Sequence, residues 1–246
     1  MDCGEDIVHN VAASSAKGKV HAHSYYPFQN GDSQTKLTIF GATGATGKQL
    51  IEQALAAGNH VVAFARDPSK IGASREHLTI VQGELADTEA IERAIIGSDA
   101  VISVLGPRPG EDIKSKPLTR GMQNILAAIQ NTGVRRLIIS STPSASDPND
   151  LPDLKFKVLV SLIKSAMRPA YEEIVSVARL VRESDTDWNI VRVSMLNNNP
   201  GSGVIRAGYL GKKQVGTNIS RADLASFMLS QVKDKTYLRQ APALSN

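Results

Sequence analysis

Leu37-Thr38-Ile39-Phe40-Gly41-Ala42-Thr43-Gly44-Ala45-Thr46-Gly47-Lys48 decides how this chain folds. An apolar run of strand length enters a turn with the spacing G-x-x-G-x-x-G, and a helical pattern follows over residues 48–57. Gly41 lets the chain turn sharply. Gly44 lets the backbone come close to a pyrophosphate, and Gly47 lets the helix pack tightly on the strand. The helix start then offers unpaired N–H groups and a positive dipole end to phosphates. Glycines also serve ordinary turns; the strand before them and the helix after them give this set its meaning. Gly41, Thr43, Gly44, Ala45, Thr46 and Gly47 are therefore the candidate cofactor-binding residues of the loop.

Strand and helix alternate from there. Leu50, Ile51, Ala54 and Leu55 share one helical face. Strands are expected at residues 60–65, 78–81, 99–105, 136–140 and 188–193. The near-continuous apolar run Ala100, Val101, Ile102, Val104, Leu105 reads as a central parallel strand. Asp87 caps a helix that turns Ile91 and Ile95 inward, and Leu118, Met122, Ile125 and Ile129 mark the next buried face. Five β-α steps imply an α/β fold: a Rossmann-like, doubly wound parallel sheet in a single domain over residues 36–246.

A helical insertion, residues 152–184, separates the fifth strand from the sixth. Phe156, Leu159, Val160, Ile163 and Met167 recur at helical spacing, then Tyr171, Ile174, Ala178 and Val181. The insertion is either a packing element or a lid, because ligands sit at the C-terminal ends of parallel strands. Ser220, with Asp223 three residues on, caps a last helix. A run from Tyr237 is expected to add an edge strand.

Residues 1–35 lack a sustained period and are expected to form a flexible extension, with Tyr25-Tyr26-Pro27-Phe28 a candidate for docking on the domain. The early Asp2, Glu5 and Asp6 do not read as a secretory leader. No apolar run is long enough to span a bilayer, so no membrane partner and a cytoplasmic location are expected. The net charge of +4 is only mildly basic, with no basic run interleaved with aromatics. Nucleic acid is therefore not an expected partner; a small anionic ligand suits the balance. Cys3 is the single cysteine, which excludes an internal disulfide, and the five histidines show no metal-ligand spacing.

An adenosine ribose with a free 2′-hydroxyl is usually held by an acid at the end of the second strand. Arg66 stands there, with Lys70 close behind. A guanidinium fork pairs with a 2′-phosphate, which favours NADP(H). Asp67 argues the other way, since it could turn inward and accept from a ribose hydroxyl. Glu84 and Leu85 lie where the chain passes the adenine, and Glu84 is either an acceptor for its amino group or a solvated turn residue.

With the glycine loop, Arg66, Trp188-Asn189-Ile190-Val191-Arg192 and Ile219-Ser220-Arg221-Ala222-Asp223-Leu224 in hand, the chain from Lys36 onward resembles the atypical short-chain dehydrogenase/reductase group. It resembles most the NAD(P)-binding NmrA-like proteins and the flavin reductase (biliverdin reductase B) type. The resemblance implies a Rossmann domain, monomeric or weakly dimeric, using NADPH on a small-molecule substrate. It places the nicotinamide near Leu105, Gly106, Ser140, Val193, Ser194 and Met195. A hydroxyl just after the fifth strand lies near nicotinamide and substrate in the flavin reductase relatives; here it is Thr142, with Ser141 adjacent.

The departures matter. Dehydrogenases of this group that protonate a carbonyl carry Tyr-x-x-x-Lys, whereas Tyr171 is followed four residues later by Val175. Tyr171 is thus a proton-donor candidate without its lysine, or a pocket wall. The usual Arg-Pro after the sixth strand is Arg192-Val193. Three functions stay open: hydride transfer from NADPH to a conjugated acceptor (flavin, quinone or carbonyl compound), a redox-inactive dinucleotide-binding regulator of the NmrA-like type, and an isomerase or cyclase using the nucleotide as scaffold.

Overall fold

A computed structural model describes residues 21–24, 34–73, 75–107, 112–151, 158, 160–161, 164–211 and 215–246. Six parallel strands make up most of the sheet: β2 (Lys36–Phe40), β3 (His60–Ala65), β4 (Leu78–Gln82), β5 (Ala100–Ser103), β6 (Arg136–Ser141) and β7 (Asp187–Arg192). Their spatial order is β4-β3-β2-β5-β6-β7. The chain builds outward from β2 through β3 to β4, then returns to the other side of β2 at β5. That reversal opens a crevice at the C-terminal ends of β2 and β5, where ligands of such sheets bind.

Alternation along β2 sorts the core. Leu37 and Ile39 face α1 (Ala45–Ala56) and α5 (Arg221–Ser230), together with Leu50, Ile51, Leu224 and Phe227. Phe40 faces the opposite layer, built from α2 (Thr88–Ile95), α3 (Pro117–Thr132) and α4 (Arg168–Glu183). Ile91, Ile95 and Ile125 are fully buried there, each burial worth about 2 kcal/mol of transfer from water. The doubly wound architecture is thus the expected one.

Beyond β7 the sheet differs from expectation. The run from Tyr237 forms turns rather than an edge strand. The strand begins later, as β11 (Ala243–Ser245), and lies inside the sheet, parallel to β7 and antiparallel to β9 (Val204–Gly208). The edge is β1 (His21–Ser24), antiparallel to β9, so four residues of the expected extension belong to the sheet. A second, two-stranded sheet pairs β8 (Met195–Asn197) with β10 (Asn218–Ser220). The Tyr25 to Phe28 cluster, and Phe156, Leu159 and Ile163 of the insertion, lie outside the described residues.

Candidate functional site

The glycine turn forms as read. Gly41 takes φ +82°, and the N–H of Gly44 donates to its carbonyl at 3.0 Å. A Cβ on Gly47 would sit 2.2 Å from the Gly41 oxygen, so α1 meets β2 only through glycine. Gly44 is different: its nearest conflict is 3.3 Å away, and it is exposed. Internal packing therefore asks less of Gly44, and the open side of the loop is where a ligand would approach.

Capping sets the start of α1 apart from α2, α3 and α5, though α4, behind Met167, is likewise uncapped. The Asp87 carboxylate accepts from Ala90 N at α2, Glu173 from Leu118 and Thr119 at α3, and Ser220 from Asp223 N at α5. At α1, Gly44 offers no side-chain cap and the first turn holds no acid. The positive end of α1 is left for an outside anion, which fits a dinucleotide pyrophosphate.

Two cavities adjoin this turn and share Leu105, Gly106 and Leu118. The larger, about 560 Å³, takes Gly41 and Thr43 from the loop, Arg66 and Lys70 after β3, and Glu84 and Leu85 after β4. The smaller, about 210 Å³, takes Thr46, Ser140, Ser141, Thr142 and Val193. Its walls are Met122 of α3, Ile174 and Val177 of α4, and Leu224 of α5. No ionisable side chain is among its described lining residues.

Asp67 is already engaged. Its Oδ1 accepts from the Ser69 hydroxyl at 2.6 Å and the Ser69 N–H at 3.2 Å, and Lys70 Nζ stands 3.4 Å from Oδ2. The Ser69 hydroxyl foremost, then Lys70, holds its carboxyl below the usual range despite partial desolvation. It caps the short 3-10 turn Pro68–Lys70. The Thr142 hydroxyl accepts from Ser144 N at 3.3 Å, which leaves its own hydrogen for a ligand.

Tyr171, Ser194 and Met195 do not reach either cavity. Tyr171 is half-buried in the first turn of α4, one turn short of Ile174, with Lys164 Nζ 5.7 Å from its ring centre. Val193 points inward, so Ser194 faces out. Met195 has left for the small sheet, donating its N–H to Thr217 O at 2.9 Å. Gly44, Ala45 and Gly47 line neither cavity.

The larger cavity also holds residues the sequence reading missed: Arg120, Gly121 and Asn124 on α3. Asn124 Nδ2 donates to Leu85 O at 2.7 Å, and a Cβ on Gly121 would meet the Leu85 side chain at 2.7 Å. Together they fix Leu85 at the cavity. Behind the smaller cavity, the loop after β6 is tied down by Asp147, which accepts from Ala241 N at 2.8 Å, and by Asp150.

A family model described as NAD(P)H-binding matches residues 41–235. The chain is 29% identical over 194 residues to an uncharacterized chloroplastic protein of Arabidopsis thaliana, covering 71% of this chain and 64% of that one. It is 28% identical over 181 residues to the (4-alkanoyl-5-oxo-2,5-dihydrofuran-3-yl)methyl phosphate reductase of Streptomyces griseus, covering 70% and 55%. The photosystem II assembly factor Ycf39 of Synechocystis matches at 27% over 124 residues, 50% of this chain and 38% of that one. The chain thus spans less than two thirds of these relatives' length. Among solved structures, a short-chain dehydrogenase/reductase from Veillonella parvula in complex with NADP superposes with TM-score 0.69 at 18% identity, covering 87% of this chain and 95% of that one. The anaerobilin reductase ChuY from Escherichia coli O157:H7 gives 0.68 at 19%, covering 85% and 96%. These likenesses establish the fold.

Proposed function

The chain belongs to the NAD(P)H-binding family, and we propose that it is an NADPH-dependent reductase of a small conjugated acceptor: a flavin, a quinone or a carbonyl compound. The observation that carries this reading is the smaller cavity, which has hydroxyls from Ser140, Ser141 and Thr142 and no ionisable group among its described lining residues. The bound dinucleotide supplies the hydride.

Arg66 and Lys70 would hold the 2′-phosphate at the larger cavity. The engagement of Asp67 with Ser69 and Lys70 supports this, because it occupies part of the acid that lines the same cavity and would otherwise accept from a free ribose hydroxyl. Gly41, Thr43 and the open start of α1 would hold the pyrophosphate. Ser141 or Thr142 would donate to an acceptor oxygen or nitrogen on which negative charge develops. With no acid among the described lining residues, the proton would come from solvent, which suits an acceptor that spreads charge over its own conjugated system.

That no acid is among the described lining residues also suits a second reading, dinucleotide binding without turnover; the relative named as an assembly factor is in keeping with it. One experiment separates the two. NADPH oxidation is followed at its absorbance band with a panel of flavins, quinones and conjugated carbonyls. Turnover of at least one acceptor is expected. Tight NADPH binding with no oxidation across the panel would overturn the reductase reading in favour of the second.

A further inference from the structure

Helix α3 begins without a cap of its own. Lys116 precedes it at φ +55° with no capping bond, and Pro117 has no N–H to offer. Arg120 N reaches Lys116 O at 3.1 Å. That leaves the N–H groups of Leu118 and Thr119, which would be orphans at a partly buried helix start. Both are taken by one residue on another helix. Glu173 of α4, fully buried, accepts from Leu118 N at 3.1 Å through Oε1, and from Thr119 N at 2.9 Å through Oε2. Its Oε2 also accepts from the Thr119 hydroxyl. The negative carboxylate meets the positive end of α3, which offsets the cost of burying it.

The bond joins the two walls of the smaller cavity. Leu118 lines both cavities, and Met122, one turn on, lines the smaller one. On the other side, Ile174 follows Glu173 directly and Val177 lies one turn further; both line the same cavity. We propose that Glu173 is a positioning residue that sets the gap between α3 and α4, and so holds the smaller cavity at a width that admits a flat ring. The proposal rests on the dinucleotide reading above: the ring in question is the nicotinamide end, whereas no residue of α4 is among the described lining of the larger cavity, where Arg66 and Glu84 would hold the adenosine end.

The test compares whole and half ligands. Binding is measured for the reduced dinucleotide that the wild type prefers, and for its adenosine half (2′,5′-ADP for NADPH, ADP for NADH). Glu173→Gln keeps the side chain's shape but turns an NH2 group against a backbone N–H. It is expected to weaken the dinucleotide about tenfold while leaving the adenosine half unchanged. Thr119→Val keeps both backbone bonds and loses only the hydroxyl; about threefold in the same direction is expected. Glu173→Asp, one methylene shorter, should fall between wild type and Gln. A merely structural cap would lower melting temperature and weaken both ligands alike. That outcome, or unchanged binding of both ligands by folded Thr119→Val and Glu173→Gln, overturns the proposal. If Glu173→Gln does not fold, Thr119→Val decides. All of this is read from binding. A wild type that binds dinucleotide yet oxidises it with no acceptor refutes the reductase reading and leaves this one standing.

Discussion

Arg192 and Asp150 meet in a two-pronged ion pair, Nη1 to Oδ2 at 2.6 Å and Nη2 to Oδ1 at 2.7 Å, with the arginine side chain fully buried. The pair joins the end of β7 to the loop that leaves β6 beyond Thr142. Arg192 Nε also donates to Ala241 O at 2.6 Å, and Asp150 accepts from the N–H groups of Asp147 and Leu210. Removing one partner strands the other, so Asp150→Ala is expected to destabilise by about 3 kcal/mol in denaturant titration.

The same pair has a pH signature. Burial alone would raise the Asp150 carboxyl, but the Arg192 guanidinium and the backbone N–H groups outweigh it and leave it below its ordinary 3.8. Asp223 is lowered in the same sense, against its own burial, by Ser202 and Gly203 N–H groups. A carboxyl depressed in the folded state stabilises fully above its unfolded value, and that contribution is lost as pH falls through the folded value. Stability should therefore drop as pH is lowered below about 4, and the drop should be shallower in Asp150→Asn. An identical acid limb in that variant would contradict the assignment.

The glycines of the turn should separate by mutation. Gly47→Ala places a methyl 2.2 Å from the Gly41 oxygen and should destabilise by 3 kcal/mol or more, roughly, as overpacking against backbone does. Gly44→Ala meets its nearest atom at 3.3 Å and should stay folded, with dinucleotide affinity about tenfold weaker because the loop's approach surface is filled. Melting curves and fluorescence titration read the two effects.

Replacing Arg66 by Ala should weaken NADPH selectively over NADH, by roughly 2 kcal/mol for one charge-assisted pair. Equal loss for both dinucleotides would rule out the 2′-phosphate role.

Thr142→Val should lower kcat by about 30-fold with little change in dinucleotide affinity, as expected for a donor aimed at developing charge. With no ionisable group among the described residues of the smaller cavity, kcat should be flat from about pH 6 to 9. A bell-shaped profile would reveal a proton donor within the site.

What could be read in advance follows the range of the interactions. The glycine turn was legible because strand, turn and helix are contiguous. Arg66 and Ser140 to Thr142 followed from it, since strand ends in a parallel sheet share one edge. Ser194 and Met195 line neither cavity, because the chain leaves the main sheet after Val193 for the small one. Glu173 was invisible for another reason. Beside Glu172 it looks like the solvated face of an amphipathic helix, and only the packing of α4 on α3 buries it. A faint signal existed, because Lys116 rather than a Ser, Thr, Asp or Asn holds the cap position before Pro117, and such a start needs an acceptor from elsewhere. Arg192 was noticed as the end of a family-like run and as a departure from Arg-Pro, not as half of an ion pair; its partner lies 42 positions away. Asn124 and Gly121 sit inside a regular helical pattern, which conceals that they brace Leu85.

The placement of β11 bears on the order in which the molecule is made. Ala243–Ser245 stands between β7 and β9, although β9 precedes it in the chain. While a ribosome is still adding residues short of 243, β2 to β6 already have their neighbours, but β7 lacks its outer one and β9 has no seat beside it. Helix α5 can already dock on α1, but β9 must wait for its place beside the parallel strands until Ala243–Ser245 slot in. Contacts so distant along the chain form slowly. A stall in synthesis just before that point would present a half-sheet with β7 as a bare edge, the species most exposed to pairing with a neighbour's strand.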